Sequence, residues 1–227
     1  MRVCRYPSPN FGPRRGFAVP EMIVLHYTGM DTAQAALERL CDPGPEVSAH
    51  YLIDEFGTVF QLVEEKHRAW HAGRSCWRGC RDVNSASIGI ELANPGPLDN
   101  APPFPTAQMD ALEWLIVDIR DRYAIPASAI LAHSDVAPGR KVDPGAKFDW
   151  GRIVPNPDVV EARADPGEFW GILTAIGYDP DVLASARLSA FRLRHHPNVL
   201  EGDVTAEDVA VAEAVLARQQ NASGKAG

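Results

Sequence analysis

No stretch of the 227-residue sequence approaches the roughly 18 consecutive apolar residues of a membrane span, so none is expected. No long basic run occurs either, and the net charge is -8, which argues against a nucleic-acid surface. The opening residues, MRVCRYPSPNFGPRRG, lack the apolar core of a secretory signal, and no hydrophobic leader precedes Cys4 to make it a lipidation site. Cysteine is scarce: Cys4, Cys41, Cys76 and Cys80 are the whole complement. That scarcity favours a reducing, cytoplasmic setting. Cys76 and Cys80 are spaced to bridge or to form half a metal site, but no second pair completes one, and free thiols are the expectation. There is no internal repeat. What remains is ordinary for a globular chain: 45% hydrophobic and 23% charged residues, ample for one domain and a small appendage.

Along the chain, residues 1–20 are rich in Pro, Gly and Arg and read as an extended surface arm. MIVLHY (22–27) has the profile of a buried strand, and Asp31 or Thr32 caps a helix running to about Cys41. AHYLID (49–54) and TVFQL (58–62) read as a hairpin around Glu55-Phe56-Gly57. Residues 64–87 show no period, and a long irregular stretch inside a domain marks function or disorder. IGIELA (88–93) is a strand interrupted by Glu91, residues 94–105 a loop, and Thr106 caps a strong helix to Tyr123. Ala129–His133 reads as a short strand before a polar loop, and Lys147–Val154 as a helical turn. Past about 165 the spacing predicts three short helices, Glu168–Ile176, Val182–Leu193 and Ala206–Arg218, with a core of their own and a frayed tail over 221–227. The whole reads as an α/β fold: a main domain over residues 1–160 and a helical module over 165–220.

Three strands thus end in or carry a reactive group: His26, Glu91 and His133. The loop after the third holds Lys141 and Asp143. Two histidines and an aspartate form a plausible facial set for zinc (Zn2+) with a fourth position for water. Zinc lowers the pKa of that water to about 7. A neighbouring carboxylate can carry its proton to a leaving amine, and a lysine can steady an oxyanion. Plainer readings exist. His26 and His133 read equally as satisfied core histidines, Glu91 as the partner of a buried cation, and Asp143, before Pro144, as the start of a turn.

The segments VLHYTG (24–29), SAHYLID (48–54), AWHAG (69–73), SIGIELAN (87–94) and AHSDVAPGRKVDPG (132–145) resemble the N-acetylmuramoyl-L-alanine amidases of the AmpD and AmiD type, relatives of the peptidoglycan recognition proteins. The resemblance implies a mixed central β-sheet flanked by helices, with zinc held by His26, His133 and Asp143. It implies Glu91 as general base and Lys141 as the group polarising the scissile carbonyl. The substrate is then a peptidoglycan fragment, cut between N-acetylmuramic acid (in its 1,6-anhydro form) and L-alanine during wall recycling by a monomer. The competing readings are a lytic amidase acting on intact wall and a recognition module without catalysis. The last segments, LSAFRLRHHPNVLEGDVTAEDVAVAEAVL (188–216), resemble the end of a peptidoglycan-binding helical domain. For substrate contact, Tyr27, Trp70, His71 and Asn84 are the pocket candidates. Trp77, set among polar and small residues, is expected exposed against a sugar face. Arg78 and Arg81 are expected to meet stem-peptide carboxylates. Here the chain departs from its relatives, which often carry an arginine where this sequence has Asp82.

Overall fold

The computed structural model describes residues 2–96, 102–155, 159 and 165–223. Its elements in chain order are β1 (Val3–Arg5), β2 (Phe11–Pro13), β3 (Met22–Tyr27), α1 (Ala33–Cys41), β4 (Tyr51–Ile53), β5 (Val59–Gln61), β6 (His67–Ala69), α2 (Val83–Ala86), β7 (Ser87–Leu92) and α3 (Thr106–Tyr123). They continue as β8 (Ile130–Ala132), α4 (His133–Val136), α5 (Trp150–Ile153), α6 (Phe169–Ile176), α7 (Ala184–His195) and α8 (Ala206–Ser223). Six strands form one mixed sheet in the order β1-β5-β4-β7-β3-β8, with β2 and β6 paired beside it. The N-terminal arm is therefore no loose surface segment. β1 runs parallel to β5 at the sheet edge, and β2 runs antiparallel to β6. Three-residue strands are too short to show a pattern in sequence.

The two-residue period of the strands sorts their side chains between the faces. Ile23 and Leu25, Ile88, Ile90 and Leu92, Ile130 and Ala132 point to one face and pack under α3 through Met109, Leu112, Leu115 and Ile119. The other face carries Met22, Val24 and Leu131, with Leu52 toward the opposite edge. α1 covers the Leu52 end with Ala36, Leu37 and Leu40. The C-terminal helices cover the β3 and β8 end, where Phe169, Leu173, Ile176, Phe191 and Val209 join the same cluster as Met22, Val24, Leu131 and Trp77. The expectation that these helices hold a core of their own is corrected: helical periodicity reveals an apolar stripe, but that stripe seals the sheet of the first 160 residues.

Local signals held with small shifts. Thr32 accepts from the Ala35 amide and caps α1. At α3 the cap position belongs to Pro105, whose extended backbone (ψ 149) leaves Thr106 as the first helical residue. β8 ends one residue early because the Asp135 carboxylate takes the Ala132 amide at 2.8 Å, so His133 opens a helical turn. Residues 221–223 continue α8, and the remainder of the tail expected to fray lies outside the described residues. All four cysteines are free.

Candidate metal centre

Three parallel strands set the site. β7, β3 and β8 are neighbours, and His26 stands in register with Glu91. Leu25 pairs with Ala132, so His133 follows directly beside His26. By alternation all three side chains emerge on the face opposite α3, at the carboxyl ends of the strands, where open α/β sheets place their ligands. The loop after α4 returns Asp143 to the same point, its carbonyl accepting from the Ser134 amide at 3.0 Å.

His26 Nδ1 lies 2.8 Å from His133 Nδ1 and 3.0 Å from Asp143 Oδ2, and His133 Nδ1 lies 2.9 Å from the same oxygen. The partners on the far side of each ring fix the tautomers. His133 Nε2 faces two groups, the Ala72 carbonyl at 3.2 Å and the Arg140 guanidinium at 3.4 Å; the nearer only accepts, and Arg140 already donates to that same carbonyl, which favours the hydrogen on Nε2. Ser87 Oγ donates to the Val83 carbonyl at 2.6 Å and is left to accept from His71 Nε2 at 3.2 Å. His71 Nδ1 is then a lone pair, and His26 Nε2 donates to it at 3.0 Å. His26 and His133 therefore both aim bare Nδ1 atoms at a carboxylate. Three lone pairs converging with no hydrogen among them demand a cation, and their spacing suits an ion about 2 Å from each. The residues fit a metal.

The electrostatics agree. Burial, then the His133 charge, brings His26 down to about 4, and burial beside His26, His50 and His133 holds His71 far below its ordinary value. Both rings stay neutral, as ligation and the relay require. Burial raises the Asp143 carboxyl, and only protons on His133 and His26 would draw it below the usual carboxylate range; with both Nδ1 atoms bare, that stabilisation has to come from a cation. At Glu91, burial first, then the Asp143 charge, pushes the carboxyl well above that range, with Lys141 pulling back. Its Oε2 is buried and has no hydrogen-bond partner among the described residues. The Arg or Lys salt bridge that the plainer reading of Glu91 required is thus not found there.

These groups floor a cleft of about 490 Å3 whose walls include Tyr27, Met30, Arg39, Trp70, Arg140 and Lys141. A second lobe of about 430 Å3 adjoins it, lined by Arg68, Trp70, His71, Asn84 and Arg140. Tyr27 is half-buried, its phenol pushed up to about 12 by burial and by Asp143 and Glu91. Of the pocket candidates, Tyr27, Trp70 and His71 face the cleft. Asn84 borders the second lobe, while its Oδ1 fixes the loop by accepting from the amides of His71 and Ala72 at 3.0 and 2.8 Å.

Three expectations are corrected. Trp77 is 3% exposed, its ring edge-on to Tyr178 at 5.1 Å. Gly177 permits this, since a Cβ there would lie 2.6 Å from the indole. Arg78 donates to the Ile176 carbonyl and to Gln219, and Arg81 pairs with Asp179 and Asp181. Both arginines thus hold the C-terminal helices. Asp82 is engaged by Arg68 at 2.9 Å. Arg39, Arg68 and Arg140 were missed as lining residues, and Ser87 as the end of the relay. One sequence signal existed for the relay: Gly89 interrupts a strand interior, which marks a close approach. A Cβ at Gly89 would sit 2.4 Å from the His71 ring.

Residues 16–146, more than half of the chain, match the family described as Amidase_2, N-acetylmuramoyl-L-alanine amidase. The N-acetylmuramoyl-L-alanine amidase AmiD of Escherichia coli strain K12 is 36% identical over 229 residues, covering 86% of this chain and 82% of AmiD. The 1,6-anhydro-N-acetylmuramyl-L-alanine amidase AmpD of Haemophilus influenzae is 35% identical over 165 residues, 65% of this chain and 88% of AmpD. The solved structure of Escherichia coli AmiD with the substrate anhydro-N-acetylmuramic acid-L-Ala-D-gamma-Glu-L-Lys superposes with a TM-score of 0.78 at 33% identity, covering 92% of this chain and 98% of that one. AmpDH3 of Pseudomonas aeruginosa gives 0.76 at 27% identity, covering 94% and 95%. With the family motifs in order, and a His-His-Asp cluster and half-buried glutamate on the sheet face where they converge, the chain belongs to the N-acetylmuramoyl-L-alanine amidases of the AmpD and AmiD type.

Proposed function

We propose that this amidase is zinc-dependent and hydrolyses the amide between 1,6-anhydro-N-acetylmuramic acid and L-alanine in peptidoglycan fragments, as a step of cell-wall recycling. The observation that carries this reading is the pair of unmet demands in one cleft: three lone pairs without a hydrogen, and beside them a buried carboxylate oxygen without a partner. His26, His133 and Asp143 hold the ion. When bound, zinc supplies Lewis acidity and lowers the pKa of water at the site to about 7.

The chain's own residues do the rest. Glu91 takes the proton of the attacking water and gives it to the departing alanine nitrogen as the carbonyl carbon–nitrogen bond breaks. Lys141, exposed at the cleft rim, offers its ammonium to the oxygen on which charge develops. Trp70 separates the two lobes and gives a flat apolar wall to the sugar or the stem. Arg39, Arg68 and Arg140 supply positive charge for the carboxylates of the peptide. The free cysteines support work in a reducing, cytoplasmic compartment.

Mass spectrometry of an anhydro-N-acetylmuramoyl tripeptide incubated with the zinc-loaded protein tests the reading. Free anhydro sugar and intact tripeptide are expected, abolished by a chelator and restored by zinc. Binding without cleavage overturns the catalytic reading. Equal or faster cleavage of intact wall replaces recycling with lysis.

A further inference from the structure

The four-residue helix α4 carries more of the metal cluster than its length suggests. His133 is its first residue, and its second, Ser134, holds the Asp143 carbonyl at 3.0 Å. Two of the three ligands therefore hang on this one turn. Its third residue, Asp135, is fully buried and takes no direct part in the cluster. The Asp135 carboxylate is saturated from two directions. Oδ2 accepts from the Ala132 amide at 2.8 Å, which sets where strand β8 stops and the turn begins. Oδ1 accepts from the Tyr178 hydroxyl at 2.7 Å, and Oδ2 accepts again from Arg194 at 2.5 Å. Arg194 also donates to the Ile130 carbonyl at 2.9 Å, and its guanidinium lies 4.1 Å above the Trp150 ring. Tyr178 and Arg194 both belong to the C-terminal segment, one just past α6 and the other on α7.

We infer that the C-terminal helices form the back wall of the metal centre: Tyr178 and Arg194, acting through Asp135, hold the His133–Val136 turn so that His133 and Asp143 meet His26 at ligating distance. This rests on the metal reading of the cluster given above. Tyr178 and Arg194 are positioning residues; neither borders the cleft beneath the ligands. The arrangement gives these helices work at the site whether or not they touch peptidoglycan. A metal site needs its ligands held within about 0.5 Å, and outer partners that orient ligands are worth about 10–100-fold in metal affinity.

Zinc affinity of the full chain, by competition with a chromophoric chelator, tests this when paired with thermal melting of the metal-free protein. Tyr178→Phe keeps the ring and removes only the hydroxyl; Arg194→Lys keeps the charge and removes the fork. Each is expected to weaken zinc binding by about tenfold or more, and to shift the visible spectrum of the cobalt-loaded protein. Thr205→Ala is the control. Thr205 caps α8 by accepting from the Asp208 amide at 3.2 Å and makes no contact with Asp135, so the variant should melt earlier yet bind zinc as wild type does. Should Arg194→Lys fail to fold, Tyr178→Phe decides alone. A Tyr178→Phe protein that melts earlier but keeps wild-type zinc affinity and an unshifted cobalt spectrum overturns the inference and leaves the metal centre standing. A wild-type protein that takes up no zinc overturns the metal centre itself, and this inference with it.

Discussion

Two buried polar clusters in this molecule are built from similar residues and end in opposite states. In the C-terminal helices, Arg192 and Asp208 are both fully buried. The Arg192 guanidinium bonds both Asp208 oxygens and the carbonyls of Glu201, Gly202 and Asp203, and Thr205 and His196 complete the Asp208 shell. Every donor meets an acceptor. At the ends of β3, β7 and β8 the opposite holds: His26, His133 and Asp143 present acceptors to one another, and Glu91 Oε2 meets no partner among the described residues. A buried polar group without a partner costs free energy unless something outside the chain completes it. The closed cluster stabilises; the open one has the form of a site that something outside the chain completes, as the proposed metal would.

The comparison breaks most sharply at Glu91. Glu91→Gln neutralises a half-buried acid whose inner oxygen, Oε2, meets no hydrogen-bond partner among the described residues, so stability should hold or rise slightly. Turnover should fall by about 10²–10⁴-fold, the range of a lost general acid–base. Zinc uptake should stay near wild type, because Glu91 is not among the ligands. Steady-state kinetics with a melting curve and a zinc titration read all three. A variant that loses stability in step with turnover would place Glu91 among the closed networks instead.

Asp208→Asn is the mirror experiment. It strips the charge partner from a fully buried arginine, and breaking such a pair by removing one member costs about 3–5 kcal/mol. Denaturant unfolding should show that loss. Turnover per folded molecule should be unchanged, since no atom of the pair lines the cleft.

How far the open cluster was readable from sequence follows from the same physics. His26, Glu91 and His133 were legible as polar groups on apolar strands and Asp143 as a carboxylate in the loop after the third, but core histidines, a buried ion pair and a turn fitted them as well, and the family motifs decided among these readings. Parallel pairing then brings positions 26 and 91 into one row. Trp77, Arg78 and Arg81 were misjudged because their partners lie about a hundred residues away, at Ile176, Tyr178, Asp179 and Asp181. A segment of polar and small residues looks exposed until something distant covers it. The own core expected for the C-terminal helices failed for the same reason: periodicity gives the direction of an apolar face and not the surface it meets.

The relay behind His26 is the next test in size. Gly89→Ala places a Cβ where the His71 ring now lies, and Ser87→Ala removes the oxygen that fixes its tautomer. Either change frees His71 to present a hydrogen toward His26, leaving Nδ1 of His26 as the protonated nitrogen in part of the population. Zinc affinity should fall by about 10–100-fold. The loss should be larger for Gly89→Ala, which moves the ring, than for Ser87→Ala, which only releases it.

The smallest effect separates two buried histidines on either side of β7, His26 at the end of β3 and His50 just before β4. His50 is fully buried like His26, but its network is closed: Nδ1 accepts from the Gly89 amide at 3.0 Å, and Nε2 donates to the His67 carbonyl at 3.0 Å. Burial, then the Arg14 charge, brings it down to about 3. An unfolded histidine binds its proton near pH 6.5, and folded His50 does not until about pH 3. Between those values the unfolded chain carries the extra proton, so stability falls as pH drops through the window, by up to about 1.4 kcal/mol per pH unit for this one group. His50→Asn keeps an acceptor for Gly89 and cannot titrate. Unfolding free energies measured from pH 7 to pH 4 in chelator should therefore converge, the wild type losing its advantage as the pH falls. Zinc affinity at pH 7 should be unaffected by this variant, in contrast to Gly89→Ala. A His50→Asn protein that lost zinc as Gly89→Ala does would move the boundary of the metal-bearing cluster one strand outward, from β7 to β4.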